Sequence, residues 1–346
     1  MSNVQLSIAD CGSPRPEPAV QRRYTPDAYL GSSARAVEIR ELVRRLTGVP
    51  LSALVISGDT GTGKGLVARI LHHSGMRADG PLVEVNCAAL PRELAESELF
   101  GHEAGSFTGA RGRHRGYLEQ ADGGTLFLDE IGELSPDLQA KLLTAIEDRR
   151  VRRVGGEAEF DVDVQVIAAS NRDLARRVHD GRFRCDLFHR LNVFRITLPA
   201  LRERIEDLYQ LVPKFVEEFS DLSRRAVCRV DAAIYRLMSR YHWPGNIREL
   251  RNVVERAVML SDGAGLEERW LQLDFSDALA DNGRAQVEGD RVIIPLDGSM
   301  ALADMDSYII QAALRRHRYN VTATARALNT TRETLRYRIQ KYNLHD

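Results

Sequence analysis

Apolar and polar positions along residues 29–199 alternate in a way that predicts two kinds of element. Four short apolar runs stand out, at 54–57 (LVIS), 82–85 (LVEV), 125–128 (TLFL) and 164–169 (VQVIAA). Short runs rich in branched residues suit strands covered on both faces, and longer helix-patterned stretches lie between them. The alternation predicts an α/β fold, a parallel sheet flanked by helices. From residue 201 to 266 the period changes. Leu208, Leu211, Val212, Phe215 and Phe219 recur at helical spacing, which predicts an all-helical subdomain. Residues 267–300 are polar, mostly acidic, and carry Gly283, Gly289 and Gly298, the pattern of a linker. From 301 to 346 the pattern is helical again and basic, which predicts a small all-α domain. Residues 1–24 are rich in Pro, Ser and charge and read as a flexible tail. The expected division is therefore 1–24, 25–200, 201–266, 267–300 and 301–346.

The first apolar run is followed by Gly58, Asp59, Thr60, Gly61, Thr62, Gly63, Lys64 and Gly65, and then by an apolar helical stretch. Strand, glycine loop and helix in that order make a phosphate cradle. Backbone N–H groups close round the oxygens, the helix N-terminus adds partial positive charge, and Lys64 reaches the outer phosphates. A phosphate-bearing ligand is expected. In the general pattern a Ser or Thr follows the lysine and supplies a hydroxyl to Mg2+. Gly65 stands there, so the metal must be held by other groups or through water. The run at 125–128 ends in Asp129 and Glu130. Ligands of parallel sheets lie beyond the carboxyl ends of the strands. Asp129 is thus the candidate Mg2+ ligand, and Glu130 the candidate that orients an attacking water.

A further stretch, Gly105, Ser106, Phe107, Thr108, Gly109 and Ala110, sets one aromatic among small and polar residues. Such a loop cannot bury a core, and its glycines make it mobile.

Composition narrows the class. With 43% apolar and 28% charged residues the chain reads as globular. No apolar run approaches the roughly 20 residues of a membrane helix, and the N-terminus lacks the pattern of a signal peptide. The four cysteines, Cys11, Cys87, Cys185 and Cys228, show no metal-binding spacing, which predicts a reduced, cytoplasmic protein. A net charge of -1 names no partner, but its distribution does. Between residues 312 and 345 there are eight Lys or Arg, at 315, 316, 318, 326, 332, 336, 338 and 341, against one acid, Glu333. Residues 322–328 predict a short helix and Asn329-Thr330 a turn, and residues 330–333 (TTRE) fit a capping box opening a second helix. Leu335, Ile339 and Tyr342 share its apolar face. A basic helix-turn-helix of this kind suits the major groove of double-stranded DNA. Thr331, Arg332, Thr334, Arg336, Tyr337, Arg338 and Lys341 are its candidate DNA contacts. Tyr308, Ile309, Ala312, Ala313 and Leu314 offer a face for dimerisation.

Together these motifs resemble the bacterial enhancer-binding proteins, the AAA+ ATPase activators of sigma-54 RNA polymerase. The resemblance runs from about residue 29 to 260, and the C-terminal helices are similar to the family's Fis-type domain. The phosphate loop resembles GETGTGKE, with Gly65 in place of the final glutamate, and GSFTGA resembles GAFTGA, with Ser106 in place of alanine. The resemblance implies that the loop at 105–110 contacts sigma-54 when ATP is bound. It implies that Asn86 pairs with Glu130 as a nucleotide-state switch. Asn171 matches the first sensor, Arg184 and Arg190 the arginine fingers, and Arg248 the second sensor. It further implies a homo-oligomeric ring, a hexamer that is dimeric when inactive. The sigma-54 polymerase holoenzyme and upstream DNA are its expected partners. About two dozen residues precede the ATPase segment, too few for a receiver domain, so control is expected from a separate protein in trans, from expression level or from a partner subunit. Two rival readings are a regulator with a vestigial ATPase and a nucleic-acid motor such as a helicase. The loop motif and the finger arginines weigh against the first, and the loop motif and the terminal DNA reader against the second.

Overall fold

The computed structural model describes residues 23–106, 110, 112–223, 229–262, 265–273, 286–288, 291–293, 302–317 and 319–342. The chain divides into two compact units, residues 1–271 and 272–346. The strands of the first unit are β1 (Ala53–Ser57), β2 (Leu82–Asn86), β3 (Thr125–Asp129), β4 (Arg150–Arg152), β5 (Glu159–Asp161), β6 (Gln165–Ser170) and β7 (Arg195–Thr197). Five of them form one sheet in the order β2-β3-β6-β1-β7, every pairing parallel. The four expected strands are β1, β2, β3 and β6. β7 is a short edge strand with only Ile196 buried, too brief for an apolar run to announce it. β4 and β5 pair as an antiparallel hairpin outside the sheet.

Alternation along the strands divides the core in two. Ala53, Val55, Leu126, Leu128, Val166 and Ala168 enter one cluster with the helices Ala95–Phe100, Pro136–Asp148 and Cys185–Leu191. Leu54, Ile56, Phe127, Ile167 and Ala169 enter the other, with the helices Ala34–Thr47 and Lys64–His73. Successive side chains of a strand point to opposite faces, so a sheet covered on both sides needs apolar residues at every position. The short unbroken apolar runs have this cause.

Burial is not wholly apolar. The Thr125 hydroxyl donates to Gln165 Oε1 at 3.1 Å, and His72 Nδ1 lies 2.9 Å from the Thr125 oxygen. Burial, with His73 adjacent, pushes the His72 pKa down to about 4. The folded pKa lies below the unfolded value near 6.5, so the unfolded chain binds more protons between the two. Stability is therefore expected to fall as pH drops from about 6.5 towards 4. Urea unfolding at pH 7 and pH 5 checks this. The His72→Gln protein should show a flatter dependence, and an unchanged slope would remove His72 as the cause.

The lid of the first unit comprises the helices Leu208–Ser223, Ala232–Ser239 and Asn246–Leu260. The first of these buries Leu208, Leu211, Val212, Val216 and Phe219. Val216 takes the inward place expected for Phe215, which is only half-buried. Two expected boundaries shift. Tyr24, assigned to the tail, stacks on His73 with ring centroids 5.1 Å apart. The expected linker starts inside the lid, where a turn at Glu268–Trp270 leads to Leu271, fully buried. Farther along, β8 (Gln286–Glu288) and β9 (Arg291–Ile293) pair as an antiparallel hairpin within the same span. The second unit ends in three helices, Leu302–Arg316, Val321–Ala327 and Arg332–Lys341. Among the described residues no helix is long and apolar enough to cross a membrane.

Candidate functional site

The loop after β1 has the backbone a phosphate cradle needs. Gly61 and Gly63 adopt φ of +81° and +103°, and the helix Lys64–His73 starts directly from Gly63. The space around Gly61 is decisive. A Cβ there would stand 2.1 Å from Gly245 O, so no other residue fits without displacing the lid. A Cβ at Gly63 would meet nothing within 4 Å, which leaves that side of the loop open to a ligand. Lys64 is buried, and its Nζ donates to Gly58 O at 2.9 Å and Asp59 O at 3.3 Å. Asp59 is ion-paired with Arg202 at 3.2 Å. A cavity of about 340 Å³ opens beside Gly58 and Asp59, lined also by Arg35, Ile39, Leu198 and Arg202.

The carboxylates end β3 as expected. Asp129 Oδ1 accepts from Glu130 N–H at 3.0 Å. Glu130 holds the left-handed region at φ +54°, uncommon for a residue with a side chain and frequent at functional turns. Its Oε2 accepts from Asn171 N–H at 3.3 Å, and Asn171 Nδ2 donates to Thr60 Oγ1 at 3.2 Å. Asn171 thus joins the end of β6, the strand-end carboxylate and the phosphate loop. Asn86 is placed differently from the expected pairing. The sheet register sets it opposite Asp129, and its Oδ1 accepts from Ala88 N–H at 3.0 Å, capping a short turn. Among the described residues no three His, Cys, Asp or Glu converge as a metal cage. One carboxylate at the strand end suits Mg2+, which takes one or two protein carboxylates and completes its shell with phosphate oxygens and water.

The lid closes on the loop through its backbone. Ile247 and Arg248 N–H donate to Gly61 O at 3.0 and 3.3 Å, while the Arg248 side chain is exposed. Asn246, fully buried at φ +53°, donates from Nδ2 to Thr60 O at 2.9 Å and accepts from Leu201 N–H at 2.8 Å. The sequence reading missed Asn246. Its signal was local, an asparagine after Pro-Gly, where left-handed backbone favours that residue. Replacing Asn246 with Ala strands the buried Leu201 N–H and frees the part-buried Thr60 carbonyl, at an expected cost of about 1–3 kcal/mol. Thermal unfolding and nucleotide titration check this, and an unchanged melting temperature would contradict it. Arg204 was missed as well. Fully buried, it donates to Thr62 O at 3.4 Å and lies over the Tyr29 ring, 4.9 Å from its centroid. Its partner Asp207 accepts from Ser33 N–H at 2.7 Å and from Ser33 Oγ at 2.9 Å.

The two candidate fingers differ. Arg184 is exposed and forks onto Asp186, Nε at 3.1 Å and Nη2 at 2.6 Å. Arg190 is half-buried, donates weakly to Ile146 O at 3.5 Å, and keeps its Nε without a partner.

Phe107, Thr108 and Gly109 of the partner loop lie outside the described residues. The stem is defined. Gly105 N–H donates to Ala110 O at 2.9 Å, and His102 bridges to both His114 and Val154. Ser106 Oγ is buried with no partner and faces Gly155. Arg153, beside the hairpin β4–β5, anchors the stem. Its guanidinium donates to Glu103 Oε1 at 2.7 Å and to Glu119 Oε1 and Oε2 at 2.8 and 2.7 Å. Burial alone would raise the Glu119 pKa, and the Arg153 hydrogen bonds hold it below the usual carboxylate range.

In the second unit Ile310, Leu314, Ala325 and Leu335 form the core, with Ile339 and Tyr342 packed against it. Leu314, expected on a dimer face, is therefore an interior residue. Asn320 caps the first short helix, and Thr331 caps the next by accepting from Thr334 N–H at 3.2 Å. The cap sits one residue later than the expected box, so Glu333 takes no reciprocal part in it. Arg332, Arg336, Tyr337 and Lys341 are exposed as expected of DNA contacts. Arg338 is not free. It donates to Asp306 Oδ1 at 2.6 Å, and Tyr342 OH donates to Asp306 Oδ2 at 2.9 Å.

Three family models match the chain. They are the sigma-54 interaction domain over residues 29–197, the AAA+ ATPase lid domain over 202–287, and the Fis-family bacterial regulatory protein over 301–342. The transcriptional regulatory protein ZraR of Klebsiella oxytoca is 47% identical over 314 residues, 90% of this chain and 69% of that protein. The nitrogen fixation protein VnfA of Azotobacter vinelandii is 41% identical over 345 residues, 100% of this chain and 64% of that protein. The AnfA protein of the same organism is 47% identical over 262 residues, 76% of this chain, which spans about half, 49%, of AnfA. A crystal structure of NtrX from Brucella abortus in complex with ATP aligns with a TM-score of 0.66 at 32% identity, covering 91% of this chain and 69% of that one.

Proposed function

The chain belongs to the family of AAA+ transcriptional regulators that carry a sigma-54 interaction domain, and from that membership we propose that it is a sigma-54-dependent activator. It binds double-stranded DNA upstream of a promoter, assembles into a hexameric ring from inactive dimers, and couples ATP hydrolysis to opening of the promoter by sigma-54 polymerase. It works in the cytoplasm. The observation that carries the reading is Asn171, bonded at once to Glu130 and to Thr60 of the phosphate loop.

The residues divide the work as follows. The backbone of residues 58–65 holds the phosphate chain, and Lys64 turns its ammonium from the loop carbonyls to the outer phosphates. Glu130 orients a water in line with the terminal phosphate and takes up its proton. Asp129 is the protein ligand of Mg2+, which when bound neutralises charge on the phosphate oxygens. Asn171 senses the terminal phosphate beside Glu130. Asn86, across the sheet from Asp129, changes partner with the nucleotide state. Arg248 reads nucleotide from the lid. Arg184 and Arg190 of a neighbouring subunit stabilise the transferred group, which requires a head-to-tail interface that closes into a ring. Residues 105–110 present Phe107 and Thr108 to sigma-54.

The test is open-complex formation on a sigma-54 promoter with purified polymerase and this protein. Opening with ATP, and none with a non-hydrolysable analogue, is the expected result. DNA binding with neither opening nor ATPase activity would favour a regulator with a vestigial ATPase. In the same assay Thr108→Ala is expected to keep ATPase activity and lose opening. Retained opening would remove the loop from its role.

A further inference from the structure

The helix Arg332–Lys341 carries a carboxylate that no described residue of its unit uses. Leu335 points into the core, 1% exposed, and at 100° per residue Glu333 and Tyr337 each lie roughly 160° away from it. Both are exposed, Tyr337 by 66%. Glu333 is the single acid between residues 312 and 345. The helix cap is made by Thr331 on Thr334 N–H, without Glu333, and Asp306 rather than Glu333 accepts from Arg338. No described residue makes an ion pair or hydrogen bond with the Glu333 carboxylate.

On a helix whose N-terminal residues meet base edges, an outward carboxylate in the first turn faces one of two things. Phosphates repel it. Of the base edges in the major groove, only the amino groups of cytosine and adenine donate. On adenine the donor sits beside the N7 acceptor, which opposes a carboxylate, whereas cytosine N4 has no acceptor beside it on its own base. We infer that Glu333 reads a cytosine, accepting a hydrogen bond from its N4 amino group, with Arg332 and Arg336 holding the flanking positions. The inference rests on the proposed DNA-binding role of this unit. Arg338 is held by Asp306 of the helix Leu302–Arg316.

The experiment is selection from a randomised duplex pool by the full-length chain, run in parallel for the wild type, Glu333→Gln and Glu333→Ala. The wild-type pool is expected to fix cytosine at one position of each half-site, with about 5- to 150-fold discrimination over the other bases. Glu333→Gln is expected to shift that position towards adenine, whose N6 and N7 match the amide, and Glu333→Ala to abolish preference there. All other positions should keep their bases. The residue is exposed, so equal melting temperatures are expected and serve as the control for folding. The inference is overturned if both variants enrich the wild-type sequence and bind every duplex more tightly, since the carboxylate then acts only through its charge and the helix dipole. A wild-type pool with no enriched sequence is a different failure, because it removes the DNA-binding reading itself.

Discussion

Glu130→Gln is expected to bind ATP with unchanged affinity and to hydrolyse it about 10²- to 10⁴-fold more slowly. The amide keeps the size of the side chain and can still accept from Asn171 N–H, so the loop around Thr60 should hold its shape. What it loses is basicity. A neutral amide neither polarises water nor takes its proton. Nucleotide titration alongside phosphate release makes the distinction. A variant that hydrolyses at the normal rate would remove Glu130 from the chemistry, and one that fails to bind would mean that the carboxylate supports the fold.

Replacing Arg184 with Ala is expected to lower turnover by about 10³- to 10⁵-fold, the range of an arginine that meets the transferred phosphoryl group. The side chain is exposed and paired only with Asp186 on its own helix, so its removal should leave the melting temperature unchanged. Mixing distinguishes action in trans from action within one chain. In a ring, a subunit with Arg184→Ala keeps an intact Glu130, and a subunit with Glu130→Gln keeps an intact Arg184. Where the two meet in the right order, one complete site is restored. Partial recovery of ATPase in the mixture is the expected result. Two inactive proteins that stay inactive together would contradict a shared site.

Local features of the fold were legible because local physics makes them. The glycine loop, the strand-end pair Asp129 and Glu130, and the strands covered on both faces are each written within a few neighbouring residues. The roles expected for Asn171, Arg184, Arg190 and Arg248 came through resemblance, since an isolated Asn or Arg carries no spacing signal. What stayed hidden depends on long separations. Asn246 meets Thr60 across 186 positions, and Arg204 meets Thr62 across 142. Nothing in the residues near either one states that partner. Arg153 looked like one basic residue among 48 Lys and Arg, and only the fold brings Glu103 and Glu119 to it. The capping error has the same character. Thr330 and Thr331 are chemically equal candidates, and the packing of Leu335 decides between them.

The helix Asn246–Leu260 begins without a side-chain cap of its own. Its first free N–H groups, those of Ile247 and Arg248, are satisfied by the carbonyl of Gly61. A helix normally settles its orphan donors within its own sequence. Here another subdomain supplies the acceptor, through a residue whose missing side chain lets the two backbones touch. The lid and the phosphate loop are therefore one cooperative unit of folding. Melting either end exposes unpaired backbone in the other, and the lid cut away from the loop would start frayed.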